Sequence, residues 1–91
     1  MAWYYTYMRV QANEDGQGYA ITFDNGYTLS VQWKRNGVGV DNYAIPGKSV
    51  EIAAWKGDGP FIYLHGQTDQ MVPYVPFEDI GKYMKEVAEM A

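Results

Sequence analysis

Tyr19-Ala20-Ile21-Thr22-Phe23-Asp24-Asn25-Gly26-Tyr27-Thr28-Leu29-Ser30-Val31-Gln32-Trp33 is the stretch whose reading decides the fold. Tyr19, Ile21 and Phe23 alternate with Ala20, Thr22 and Asp24. After Asn25-Gly26, Tyr27, Leu29, Val31 and Trp33 alternate with Thr28, Ser30 and Gln32. Period-two alternation on both sides of a turn signal predicts a β-hairpin with one apolar and one wet face. A two-residue turn at Asn25-Gly26 would set Phe23 opposite Thr28 and mix the two faces. Directly opposed residues share a face, so that register is excluded. A three-residue loop, Asp24-Asn25-Gly26, instead opposes Phe23 to Tyr27, Ile21 to Leu29 and Tyr19 to Val31. Such a loop needs a residue with positive φ at its end, which Gly26 adopts without strain.

Working outward, Trp3–Val10 is β-prone and aromatic on both faces. One face would carry Trp3, Tyr5, Tyr7 and Arg9, the other Tyr4, Thr6, Met8 and Val10. Asn13–Gly18 is a turn, so this first strand is expected to fold back on the second. Ser49–Lys56 reads as a further strand with Val50, Ile52 and Ala54 on one face and Glu51, Ala53 and Trp55 on the other. Gly57–Pro60 would turn it into a short apolar strand, Phe61–Leu64, as a hairpin. Gln70–Val75 reads as a last strand, in which Pro73 has no N–H and belongs at an edge or a bulge. From about Phe77, the residues Phe77, Ile80, Tyr83, Met84, Val87 and Met90 recur at helical spacing. Gly81 interrupts that helix and would fit a close approach to an aromatic of the sheet. The expected fold is one α+β domain over residues 1–91: an antiparallel sheet of about five strands with one C-terminal helix packed on one face.

Phe23, Asn25, Gly26 and Tyr27, then Ser30, Val31 and Trp33, then Val50–Trp55, with a weaker echo in Phe77–Met90, resemble a group of small tailed-phage accessory proteins, mostly of unassigned function. The resemblance covers roughly residues 19–90. Where many of those proteins have a Gly-Pro-Gly type loop after the second strand, this chain has Lys34-Arg35-Asn36-Gly37. The resemblance implies a phage origin and a fold, and it carries over no catalytic residue.

Bulk properties narrow the function. Eleven acidic residues against seven basic ones give a net charge of −4, which argues against a nucleic-acid partner, since those favour a basic face. There is no cysteine, so neither a disulfide nor a thiolate metal site is open to the chain, in keeping with a cytoplasmic setting. No stretch approaches the roughly 20 apolar residues of a membrane helix, and no membrane partner is expected. His65 is the only histidine, which excludes a two-histidine metal site. Thr68 and Asp69 lie near it, but all three share one turn and would project outward, the pattern of a capped loop and not of a catalytic set. Neither an enzyme nor a cofactor is therefore expected.

What remains is a binding role. Trp3, Tyr4, Tyr5 and Tyr7, joined by Trp55, are the candidate protein-contact residues, because neither face of the first strand is polar and exposed aromatics mark interaction sites. The partner would be a host protein, with inhibition of a host defence among the roles the phage resemblance implies, or a second copy forming a homodimer. Lys34, Arg35 and Lys48 cluster in the long stretch 34–49 and are the candidates for an anion or ligand, as in a nucleotide binder with rings stacked on the base. A structural phage component is the third reading.

Overall fold

The computed structural model describes residues 8–12, 18–33, 44 and 48–91. Five strands form one antiparallel sheet: β1 (Met8–Ala12), β2 (Gly18–Phe23), β3 (Tyr27–Gln32), β4 (Ser49–Lys56) and β5 (Met71–Pro76). They lie in chain order, β1-β2-β3-β4-β5, a plain meander. A 3-10 turn (Phe77–Asp79) then leads into a single helix, α1 (Ile80–Ala88). The α+β architecture is the one the alternation and the helical stripe predict.

The β2–β3 hairpin has the expected register: Ile21 faces Leu29, Tyr19 faces Val31 and Thr22 faces Thr28. Its loop is the three-residue form. Gly26 has φ of 88° and its N–H donates to the Phe23 carbonyl at 3.0 Å. The first strand does fold back on the second, with Val10 opposite Ile21, and it runs on to Ala12. Trp3–Tyr7 lies outside the described residues.

Helix and sheet share one core. Ile21, Phe23, Leu29 and Val31 from the hairpin meet Val50, Ile52 and Ala54 from β4, with Tyr83 and Val87 of α1 closing the cluster. Ile80 and Met84 pack at its margin, half-buried. The helical stripe is therefore right except at its start. Phe77 is 46% exposed, because the chain opens in a 3-10 turn whose geometry carries that residue off the α1 stripe. Gly81 faces open space, with nothing within 4 Å of where a Cβ would stand, so close approach to an aromatic is not its reason. Nothing in the structure explains it.

The far face of the sheet departs from expectation. The alternation predicts a wet face through Thr28 and Ser30, yet both are buried, as are Ser49, Glu51 and Ala53 on β4, Glu51 to 4% exposure. β4 is buried on both faces from Ser49 to Ala54. Polar side chains buried in this way need hydrogen-bond partners. Thr22 and Thr28 satisfy one another across β2 and β3, Oγ1 to Oγ1 at 3.0 Å.

The second correction concerns Phe61–Leu64, which is not a strand. It contributes a single bridge, Phe61 to Trp55, and one backbone bond from the Ile62 N–H to the Ala54 carbonyl at 2.9 Å. The edge of β4 is taken by β5 instead. There the register slips by one between Val50–Val75 and Ile52–Val72, so Pro73 and Tyr74 together oppose Glu51. This is a bulge, and Tyr74 sits in it at a φ of 56°. Pro73 thus occupies both of the places open to it, an edge strand and a bulge.

Candidate binding surface

Of the expected contact residues, Trp3, Tyr4, Tyr5 and Tyr7 lie outside the described residues, as do Lys34 and Arg35. Trp55 and Lys48 are described, and they stand at opposite ends of β4. Trp55 shares a cross-sheet row with Thr28, Thr22 and Arg9, so β2 and β3 separate it from β1. Three strand spacings amount to about 14 Å. Lys48 is exposed at the opposite end of β4 from Trp55, seven residues away, or about 23 Å along an extended strand.

Trp55 acquires different company. Its half-buried ring lies 5.5 Å from that of Phe61, tilted by 37°. Phe61 is 41% exposed and Tyr63 60% exposed, while Ile62 and Leu64 between and after them turn into the core. Phe61 and Tyr63 are both turned toward solvent. The backbone beneath them is held from two directions: Ile62 donates to Ala54, and Gln70 Nε2 donates to the Phe61 carbonyl at 3.0 Å. The turn feeding it is tight as well. Gly57 has φ of 57° and the Gly59 N–H donates to the Lys56 carbonyl at 2.9 Å. Phe61 and Tyr63 thus stand exposed on this hydrogen-bonded frame, with Trp55 half-buried beside Phe61. The signal was in the sequence as the alternation Phe61-Ile62-Tyr63-Leu64, hidden by reading the run as an ordinary core strand.

Two depressions among the described residues lie outside this patch. One, of about 220 Å³, is bordered by Glu51, Asp69, Met71 and Pro73 beside the bulge. The other, of about 390 Å³, runs between α1 and the 64–67 turn and carries Lys82 and Lys85 together with Glu86 and Glu89, so its charges oppose one another. Glu86 has a structural task there, since its Oε2 accepts the His65 N–H at 2.7 Å. His65, Thr68 and Asp69 are exposed, as a capped loop requires. Elsewhere, burial raises the Tyr19 phenol above its ordinary value, with the Trp33 ring 5.8 Å away.

Among the described residues, no group of three or more His, Cys, Asp or Glu side chains could hold a metal ion, and no helix is long and apolar enough to cross a membrane. Comparison with protein-family models, with curated proteins and with solved structures finds no match to this chain.

Proposed function

We propose that this chain is a non-enzymatic protein-binding module whose contact surface is the Trp55–Phe61–Tyr63 patch. The observation that carries the reading is the exposure of Phe61 and Tyr63 on a backbone fixed by hydrogen bonds. Rigid aromatic side chains give contact area at small entropic cost and dominate binding hot spots. The net charge of −4 favours a partner with a basic surface, which it would steer into contact. The tailed-phage resemblance makes a host protein that partner, and inhibition of it the role. The test is capture from host lysate by the native chain beside a Phe61→Ser/Tyr63→Ser double variant with the same melting temperature. A protein held by the native chain and lost by the variant supports the reading. Equal capture by both removes the patch from it.

A second reading, self-association, is favoured by the unequal edges of the sheet. β5 is closed to a further strand by Pro73, Pro76 and the bulge at Tyr74, the usual defences of an edge. β1 pairs with β2 in unbroken register, contains no proline, and exposes Val10 to 58% on the same face as the core. Sedimentation over a range of concentrations tests it: a dimer abolished by Val10→Lys supports β1 as the contact, and a monomer throughout removes it.

A further inference from the structure

The turn residue Asn25 has an attachment that its sequence neighbourhood does not announce. Its Nδ2 donates to the carbonyls of Val87 at 2.8 Å, Ala88 at 3.2 Å and Met90 at 3.1 Å, at the C-terminal end of α1. Two N–H bonds serve three acceptors, so one is shared. Its Oδ1 accepts the Tyr27 N–H at 3.0 Å. The hairpin turn therefore caps the helix end, adding a donor to Val87, whose carbonyl also accepts the Met90 N–H at 3.3 Å, and to Ala88 and Met90 after it.

An asparagine followed by glycine is also a reactive pair. The glycine nitrogen, unhindered by a side chain, can attack the asparagine side-chain amide carbon. We infer that Asn25-Gly26 is a self-modification site that the native fold holds closed and that unfolding opens, with loss of the helix cap as the consequence. In the reaction the Gly26 nitrogen loses its proton and bonds to Asn25 Cγ. The Cγ–Nδ2 bond breaks and ammonia leaves, forming a five-membered cyclic imide. Solvent water then opens either carbonyl of that ring, yielding aspartate or isoaspartate at position 25.

Native geometry opposes each step. The Gly26 nitrogen is engaged through its N–H with the Phe23 carbonyl at 3.0 Å, and the Asn25 amide is fixed at both Oδ1 and Nδ2, so Cγ cannot swing toward it. Local opening frees both groups, and the frequency of opening sets the rate. The product cannot resume the cap. A carboxylate at position 25 has no N–H to give, and its charge would face the negative end of the helix dipole. Isoaspartate would in addition lengthen the backbone inside a three-residue turn. Refolding then meets a chain whose helix no longer locks, so an opening event becomes irreversible.

The experiment incubates the full chain in native buffer and in urea at one pH and temperature, and follows amide-to-acid conversion at position 25 by peptide mass mapping. Asn36-Gly37, the other such pair in the chain, serves as the internal reference in urea. Conversion at both pairs in urea, with Asn25 slowed at least roughly tenfold in native buffer, is the expected result. Equal rates at Asn25 in the two buffers, or no conversion in urea, would overturn it. Asn25→Asp tests the consequence: a lowered melting temperature with lost hydrogen-exchange protection of α1 is expected, and a native melt with α1 still protected would overturn it.

Discussion

At the scale of single residues, the loop 24–26 sets the fold twice. Gly26 fixes the hairpin register through its φ of 88°, and Asn25 fixes the helix through three carbonyl contacts. Replacing Gly26 by Val forces a β-branched residue into positive φ, and should lower stability by about 1 kcal/mol or more in urea denaturation. Asn25→Ala removes the cap without adding charge, and should cost about 1–3 kcal/mol by the same measurement. Tyr19 supplies a pH dependence. Burial raises its phenol pKa above the ordinary 10.0, so the neutral form is favoured in the folded chain. Its stabilising contribution is complete below the unfolded value and is lost as pH rises through the folded one. Tyr19→Phe should therefore lose less stability than the native chain above about pH 10, as read from melting temperatures across alkaline pH.

Among the elements, α1 is held by side chains of unequal weight. Val87 is fully buried in the shared core while Ile80 is half-buried at its edge. Val87→Ala should cost about 2–3 kcal/mol, from the lost transfer energy and the cavity left behind. Ile80→Ala, at the margin, should cost about half of the 2–5 kcal/mol typical of a core position. Equilibrium urea unfolding of the two variants checks the order. A larger loss at Ile80 than at Val87 would place the helix in a different rotation.

For the molecule as a whole, legibility followed the range of the interactions. The hairpin register could be read because a wrong register mixes faces within a dozen residues. Pro73 announced an edge or a bulge through its missing N–H, a purely local fact. The burial of Thr28, Ser30 and Glu51 could not be read, since alternating polar residues look solvated until something covers them. Asn25 looked like a turn signal and nothing more, because its partners at Val87, Ala88 and Met90 are over sixty residues away in sequence. Trp55 was singled out for its aromatic ring alone; the Phe61 ring beside it is set by the Trp55–Phe61 bridge.

In the proposed function, the hydrogen-bonded segment beside the end of β4 presents Phe61 and Tyr63, with Trp55, to a protein partner. Side-by-side affinity capture from host lysate tests it most directly, using the native chain, the Phe61→Ser/Tyr63→Ser variant and a Lys48→Ala control, each with its melting temperature measured. The expected result is a protein retained by the native chain and by Lys48→Ala, and lost from the double variant at unchanged melting temperature. Retention of the same protein by the double variant would contradict it.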